Sequence, residues 1–105
     1  MNDDMREKLQ PRRPRERDEA YLAYIRRQRC CLCGTDGVEA AHLRTGSIND
    51  DKPSTGMQEK SSDRWALPLC KRHHDMQHTM NESEFWASFG IDPIALAMHY
   101  HARPR

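Results

Sequence analysis

The stretch Trp65-Ala66-Leu67-Pro68-Leu69-Cys70-Lys71-Arg72-His73-His74-Asp75-Met76-Gln77-His78 decides how this chain is read. A brief apolar segment runs directly into Cys70-x-x-His73, and a helix over Lys71 to Met80 presents His74 and His78 on one face, one turn apart. Upstream, Cys30-Cys31-Leu32-Cys33-Gly34 holds a second pair of the same spacing, Cys30-x-x-Cys33, in a knuckle that Thr35-Asp36-Gly37 turns. Zinc takes four soft or borderline ligands in a tetrahedron, and a two-residue gap lets one turn supply two of them. Cys30, Cys33, Cys70 and His73 are therefore the expected structural zinc ligands. Cys31 is the odd thiol; it can stand in for Cys30 only in a tighter loop with a less suitable spacing.

Composition agrees with a stapled domain. The chain has 105 residues, of which 36% are hydrophobic and 31% charged, so a single small domain has a thin core for its surface. The longest apolar run, Ile94 to Met98, is far short of a bilayer span, and the amino terminus reads Met-Asn-Asp-Asp without a signal-peptide core. Transmembrane and secreted classes are excluded as defaults, and a cytoplasmic protein is expected. In that compartment four cysteines among six histidines point to metal ligation before disulfides.

The net charge of +1 is uninformative, but Arg6 to Arg29 carries nine Lys/Arg against four Asp/Glu. Residues 1–17, with Pro11 and Pro14 and little to bury, read as a flexible basic arm, and 18–105 as the domain. Arg12, Arg13, Arg15, Arg17, Arg26, Arg27 and Arg29 can neutralise phosphates, or equally form a solvated surface balanced by Glu16, Asp18 and Glu19.

The predicted elements are few. Asp18 caps a short one-sided helix carrying Tyr21, Leu22 and Ile25, and Val38 to Leu43 form a strand with His42 near its end. Residues 44–63 make a long loop without periodicity. Pro68 confines Trp65 to Leu69 to an edge or a short pairing. Asn81 with Glu84 marks a capping box for a helix through Phe89 that Gly90 closes, and Asp92-Pro93 opens the last helix, to about His101. Phe85, Trp86, Phe89, Ile91 and Leu96 are the expected hydrophobic cap. The class is α+β.

Two histidines one helical turn apart chelate a divalent cation well, and a third presented from a strand, His42, can act on a water beside it; the combination points to hydrolysis. Imidazoles favour Mn²⁺, Ni²⁺ or Zn²⁺, yet two histidines leave enough oxygen positions for Mg²⁺.

The order Cys30-x-x-Cys33, Glu39-Ala-Ala-His42-Leu, Trp65-Ala-Leu-Pro-Leu-Cys70-x-x-His73-His74 and His78 resembles the His-Asn-His (HNH) endonucleases, or ββα-metal nucleases. Their small phage and prophage members also tend to carry a stretch like Gly56-Met-Gln-Glu-Lys60-Ser-Ser-Asp63-Arg64-Trp65. The resemblance spans about Tyr21 to Pro93. It implies a treble-clef-like ββα core fixed by structural zinc, His42 as general base, His74 and His78 as ligands of the catalytic metal, and DNA as substrate in recombination, processing or packaging. Arg44 and Lys60, in the loop bordering such a site, become DNA-binding candidates.

Two positions depart from the family pattern. Ala41 stands where many members have a metal ligand, and the family's middle asparagine falls near Trp65. Asp63, the nearest polar residue, can bind metal, orient His42 or cap a turn. The alternative function is a non-catalytic zinc-stabilised nucleic-acid-binding adaptor. A redox protein using Cys30-x-x-Cys33 is disfavoured, because no βαβ pattern surrounds the motif. A homodimer cutting both strands is compatible with these residues, and nothing in them demands it.

Overall fold

The computed structural model describes residues 15–46 and 61–104. The chain begins there with α1 (Glu19–Arg26), whose first turn is capped by the Asp18 side chain accepting from the Tyr21 N–H at 3.0 Å. Its inner face buries Tyr21, Leu22, Tyr24 and Ile25, at the spacing the sequence predicts. The knuckle follows. The Cys30 N–H donates to Thr35 O at 2.9 Å and the Gly34 N–H to Cys30 O at 2.8 Å, closing the turn on itself.

Gly34 has φ of +76°, a region that side chains with a Cβ enter at a cost of about 1 kcal/mol or more. A Cβ there would meet nothing within 4 Å. Gly34→Ala is therefore expected to lower stability through backbone strain alone, by about 1 kcal/mol in urea unfolding, while zinc stoichiometry holds at the wild-type value. Loss of zinc in this variant would mean that the knuckle tolerates no strain at all.

β1 (Val38–His42) and β2 (Ala66–Cys70) pair antiparallel, with Val38 opposite Cys70, Ala40 opposite Pro68 and His42 opposite Ala66. Pro68 has no N–H for a ladder, but its carbonyl accepts from the Cys31 N–H at 3.0 Å and ties the knuckle to β2. Four consecutive residues of β2, Ala66 to Leu69, are buried. Helices explain that run: α1 packs against both strands, and β2 also meets α2 (Lys71–Thr79) and α4 (Pro93–Ala102).

α2 leaves β2 with no intervening loop, so Cys70 ends the strand and caps the helix. α3 (Glu82–Ser88) starts at Asn81, whose side chain accepts from the Glu84 N–H, and α4 starts at Asp92, whose side chain accepts from Ile94 and Ala95. Phe85 and Trp86 are fully buried in the main core with Leu43, Leu67 and Leu69. Phe89 departs from the expected cap. It is 38% exposed and sets its ring edge-on to His73, with centroids 5.6 Å apart.

Two further expectations change. Trp65 belongs to a single 3-10 turn, Asp63–Trp65, rather than to the strand, so the long loop ends earlier than its composition indicates. Arg15 and Glu16, read as part of the arm, are bonded to the segment before β2: Arg15 Nε donates to Ser61 O at 3.1 Å, and the Asp63 N–H to Glu16 O at 2.9 Å. The rest of the arm, residues 1–14, and residues 47–60 with Lys60 and the Gly56-Met stretch lie outside the described residues. No helix among the described residues is long and apolar enough to cross a membrane.

Candidate active site and metal centre

The register that sets Val38 against Cys70 carries the end of β2 to the knuckle, and α2 adds His73 one turn on. Cys30, Cys33, Cys70 and His73 converge there, with all ligand atoms within 4.8 Å of one another. Cys33 Sγ lies 3.8 Å from Cys70 Sγ, and His73 Nδ1 lies 3.7 Å from Cys30 Sγ and 3.2 Å from Cys70 Sγ. A zinc ion with Zn–S of about 2.3 Å and Zn–N of about 2.0 Å places tetrahedral ligands roughly 3.5–3.8 Å apart, so this donor set fits zinc. Cys31 is outside the cluster, half-buried against the core, where burial pushes its thiol up to about 12.

The thiols are prepared unequally. The Thr35 hydroxyl and backbone bring Cys33 down to about 6, favouring the thiolate that a metal needs. Burial raises Cys30, against which the N–H groups of Cys70, Leu32 and Cys33 act at its sulfur.

His42 sits at the end of β1 with its side chain 17% exposed, and its Nε2 lies 2.8 Å from Asp63 Oδ1. Asp63 is 1% exposed. Its Oδ1 also accepts from the Arg15 guanidinium at 2.8 Å, and its Oδ2 from the Asp18 N–H at 2.7 Å. The structure brings Asp63 to His42, in keeping with one of the three roles open to it in the sequence, and also places it at the start of the 3-10 turn Asp63–Trp65. A carboxylate acceptor at Nε2 holds a proton on that nitrogen and fixes the orientation of the ring. Trp65, where the family alignment sought its asparagine, is buried packing.

Burial works to raise the Asp63 carboxyl, but the Asp18 N–H, His42 and the Arg15 guanidinium outweigh it and hold the group below the ordinary Asp range. A depressed folded-state value contributes stability above the unfolded value near 3.9, and that contribution is lost as pH falls through the folded value. Asp63→Asn is expected to lower stability by about 2 kcal/mol at pH 7, with the gap to wild type closing below about pH 4. Urea midpoints across that range check it; a gap absent at pH 7 would remove Asp63 as the buried hub.

On α2, His74 Nε2 and His78 Nε2 face each other at 3.1 Å. Two imidazole nitrogens about 2.1 Å from one ion stand roughly 3.0–3.4 Å apart, octahedral to tetrahedral, so the pair is spaced to share a cation. Burial, then the neighbouring His74 and Arg44, push the His78 imidazole below the ordinary histidine value. A cavity of about 260 Å³ opens between β1 and α2, lined by His42, Arg44, Gln77, His78, Met80, Asn81 and Glu82. The base candidate and one half of the helix pair thus share one chamber, with His74 adjoining it.

Sequence reasoning did not assign Glu82 or Glu39. Glu82 accepts from the N–H groups of Arg44 and Thr45, the Thr45 hydroxyl and the Gln77 amide, which fixes the chain leaving β1 beside the cavity. Glu39 Oε1 lies 2.8 Å from His74 Nδ1. No local signal marks Glu82, whose partners are set by the packing of α3. Glu39 precedes His42 by three residues on a short strand, which is a weak signal. Arg15, counted among the phosphate-neutralising arginines, is engaged with Asp63 instead.

These features define a small α+β domain with a two-stranded sheet, four helices among the described residues, and a Cys3His cluster able to bind a metal such as zinc. The chain belongs to the DUF968 family, proteins of unknown function, whose pattern matches residues 5–102. It is 35% identical over 69 residues to the uncharacterized protein YdfU of Escherichia coli (strain K12), covering 66% of this chain and 18% of YdfU. The chain therefore spans less than a fifth of that relative's length. No solved structure matches it.

Proposed function

We propose that this chain is a metal-dependent DNA endonuclease of the HNH type, its two strands and α2 forming a ββα-metal core stapled by zinc. The observation that carries this reading is the buried Asp63 carboxylate 2.8 Å from His42, whose ring lines a cavity together with His78 of the paired helix histidines. A histidine oriented by a buried carboxylate is a general-base arrangement; a solvated surface histidine needs no such support.

His42 takes a proton from water, and Asp63 holds the ring in place and stabilises the imidazolium that forms. Arg44, at the cavity wall, offers its charge to the phosphate. His74 and His78 would hold a divalent cation, Mg²⁺, Mn²⁺, Ni²⁺ or Zn²⁺, which when bound polarises the scissile phosphate and stabilises charge on the leaving oxygen. Ala41 is fully buried and cannot supply the further ligand that many HNH members carry, which is the one observation favouring the adaptor alternative.

The test is cleavage of supercoiled plasmid by purified protein with each cation in turn, beside His42→Ala of equal zinc content. Nicking or linearisation that the variant loses is the expected result. Wild type inert on duplex, single-stranded and branched DNA, while still binding it, would replace the endonuclease with the adaptor.

A further inference from the structure

We propose that Glu39 is a positioning residue for the catalytic cation, acting through His74; this rests on the reading of His74 and His78 as that cation's ligands. Glu39 lies on β1 opposite Leu69, and this register sets its carboxylate beside the first turns of α2. Its Oε1 is 2.8 Å from His74 Nδ1, while Nε2 of the same ring faces His78 at 3.1 Å. The two ring nitrogens of His74 therefore have separate tasks. Donation of Nδ1–H to the carboxylate leaves the lone pair on Nε2, the atom aimed at the shared position.

A carboxylate behind a ligating imidazole fixes the ring's tautomer and orientation and raises its basicity. Glu39 has no comparable structural duty. It is half-exposed, and Lys71, whose charge Glu39 reinforces, is bonded to Asp75 at 2.9 Å. An exposed carboxylate and histidine held only as an ion pair would contribute little to stability. The arrangement also compensates in part for Ala41: the ion held by two imidazoles gains a more basic donor in place of a third ligand.

The experiment titrates Mn²⁺ or Ni²⁺ calorimetrically into the protein carrying its Cys3His metal. Wild type is expected to take up one further ion, and His78→Ala to lose it. Glu39→Ala is expected to bind it about 10–100-fold more weakly, with Glu39→Gln, whose amide oxygen still accepts from Nδ1–H, closer to wild type. Glu39→Ala should keep the zinc content and melting temperature of wild type. Nitrogen-15 spectra of the apo second site supply a readout that simple loss of packing would not move: His74 as the Nδ1–H tautomer in wild type, a tautomer mixture in Glu39→Ala. Equal ion affinity in wild type and Glu39→Ala, with the ion still lost in His78→Ala, overturns the role of Glu39 and leaves the cation site standing. No second ion in wild type overturns the site and this role together.

Discussion

Cys70→Ser is expected to release the metal and unfold the domain at 25 °C. Cys70 is the last residue of β2, the cap of α2 and a member of the Cys3His cluster, so one sulfur joins strand, helix and knuckle. Structural zinc in small domains contributes on the order of 10–16 kcal/mol of apparent binding energy, whereas the net stability of a whole domain is about 5–15 kcal/mol. With 36% hydrophobic residues in 105, the remaining core has little surplus to absorb that loss. Far-ultraviolet circular dichroism should show a cooperative melt for wild type and none for the variant, and a strong chelator should reproduce the effect. Wild-type protein purified with no bound metal and an unchanged melt after chelation would refute the staple.

His42→Ala is expected to slow plasmid cleavage by about 10²–10⁴-fold while leaving the metal content of the Cys3His cluster at the wild-type value. The ring is at a strand end and partly exposed, so its removal opens little core. Asp63→Asn should also slow cleavage, since an amide facing Nε2 favours the wrong tautomer. The pair can be told from simple misfolding by adding imidazole to His42→Ala, which should restore part of the rate at the vacated position. Undiminished cleavage by His42→Ala would show that another group activates the water.

The parts of this fold that were legible are those set by neighbours in sequence. Asp18, Asn81 and Asp92 cap helices because each side chain reaches an N–H two or three residues ahead, a relation any short window contains. The two pairs of the Cys3His cluster are equally local, since each two-residue gap bends one turn round a common point. Phe89 follows this logic only in part: helical spacing sets its ring 5.3 Å from that of Phe85, yet it stays 38% exposed, with its ring also against His73.

Residue types and spacing alone carried the Cys3His cluster that could bind a metal such as zinc, the helix that pairs His74 with His78, and His42 at the end of a strand. Tertiary structure alone decided what those histidines face. Asp63 reaches His42 across 21 positions, Arg15 reaches Asp63 across 48, and Glu39 reaches His74 across 35. Such contacts follow from strand register and from the single 3-10 turn at Asp63, and no periodicity in the chain encodes them. A cap or a chelating pair is a property of one turn of backbone, whereas a carboxylate behind a histidine exists only once two distant segments have been packed to within 3 Å of each other.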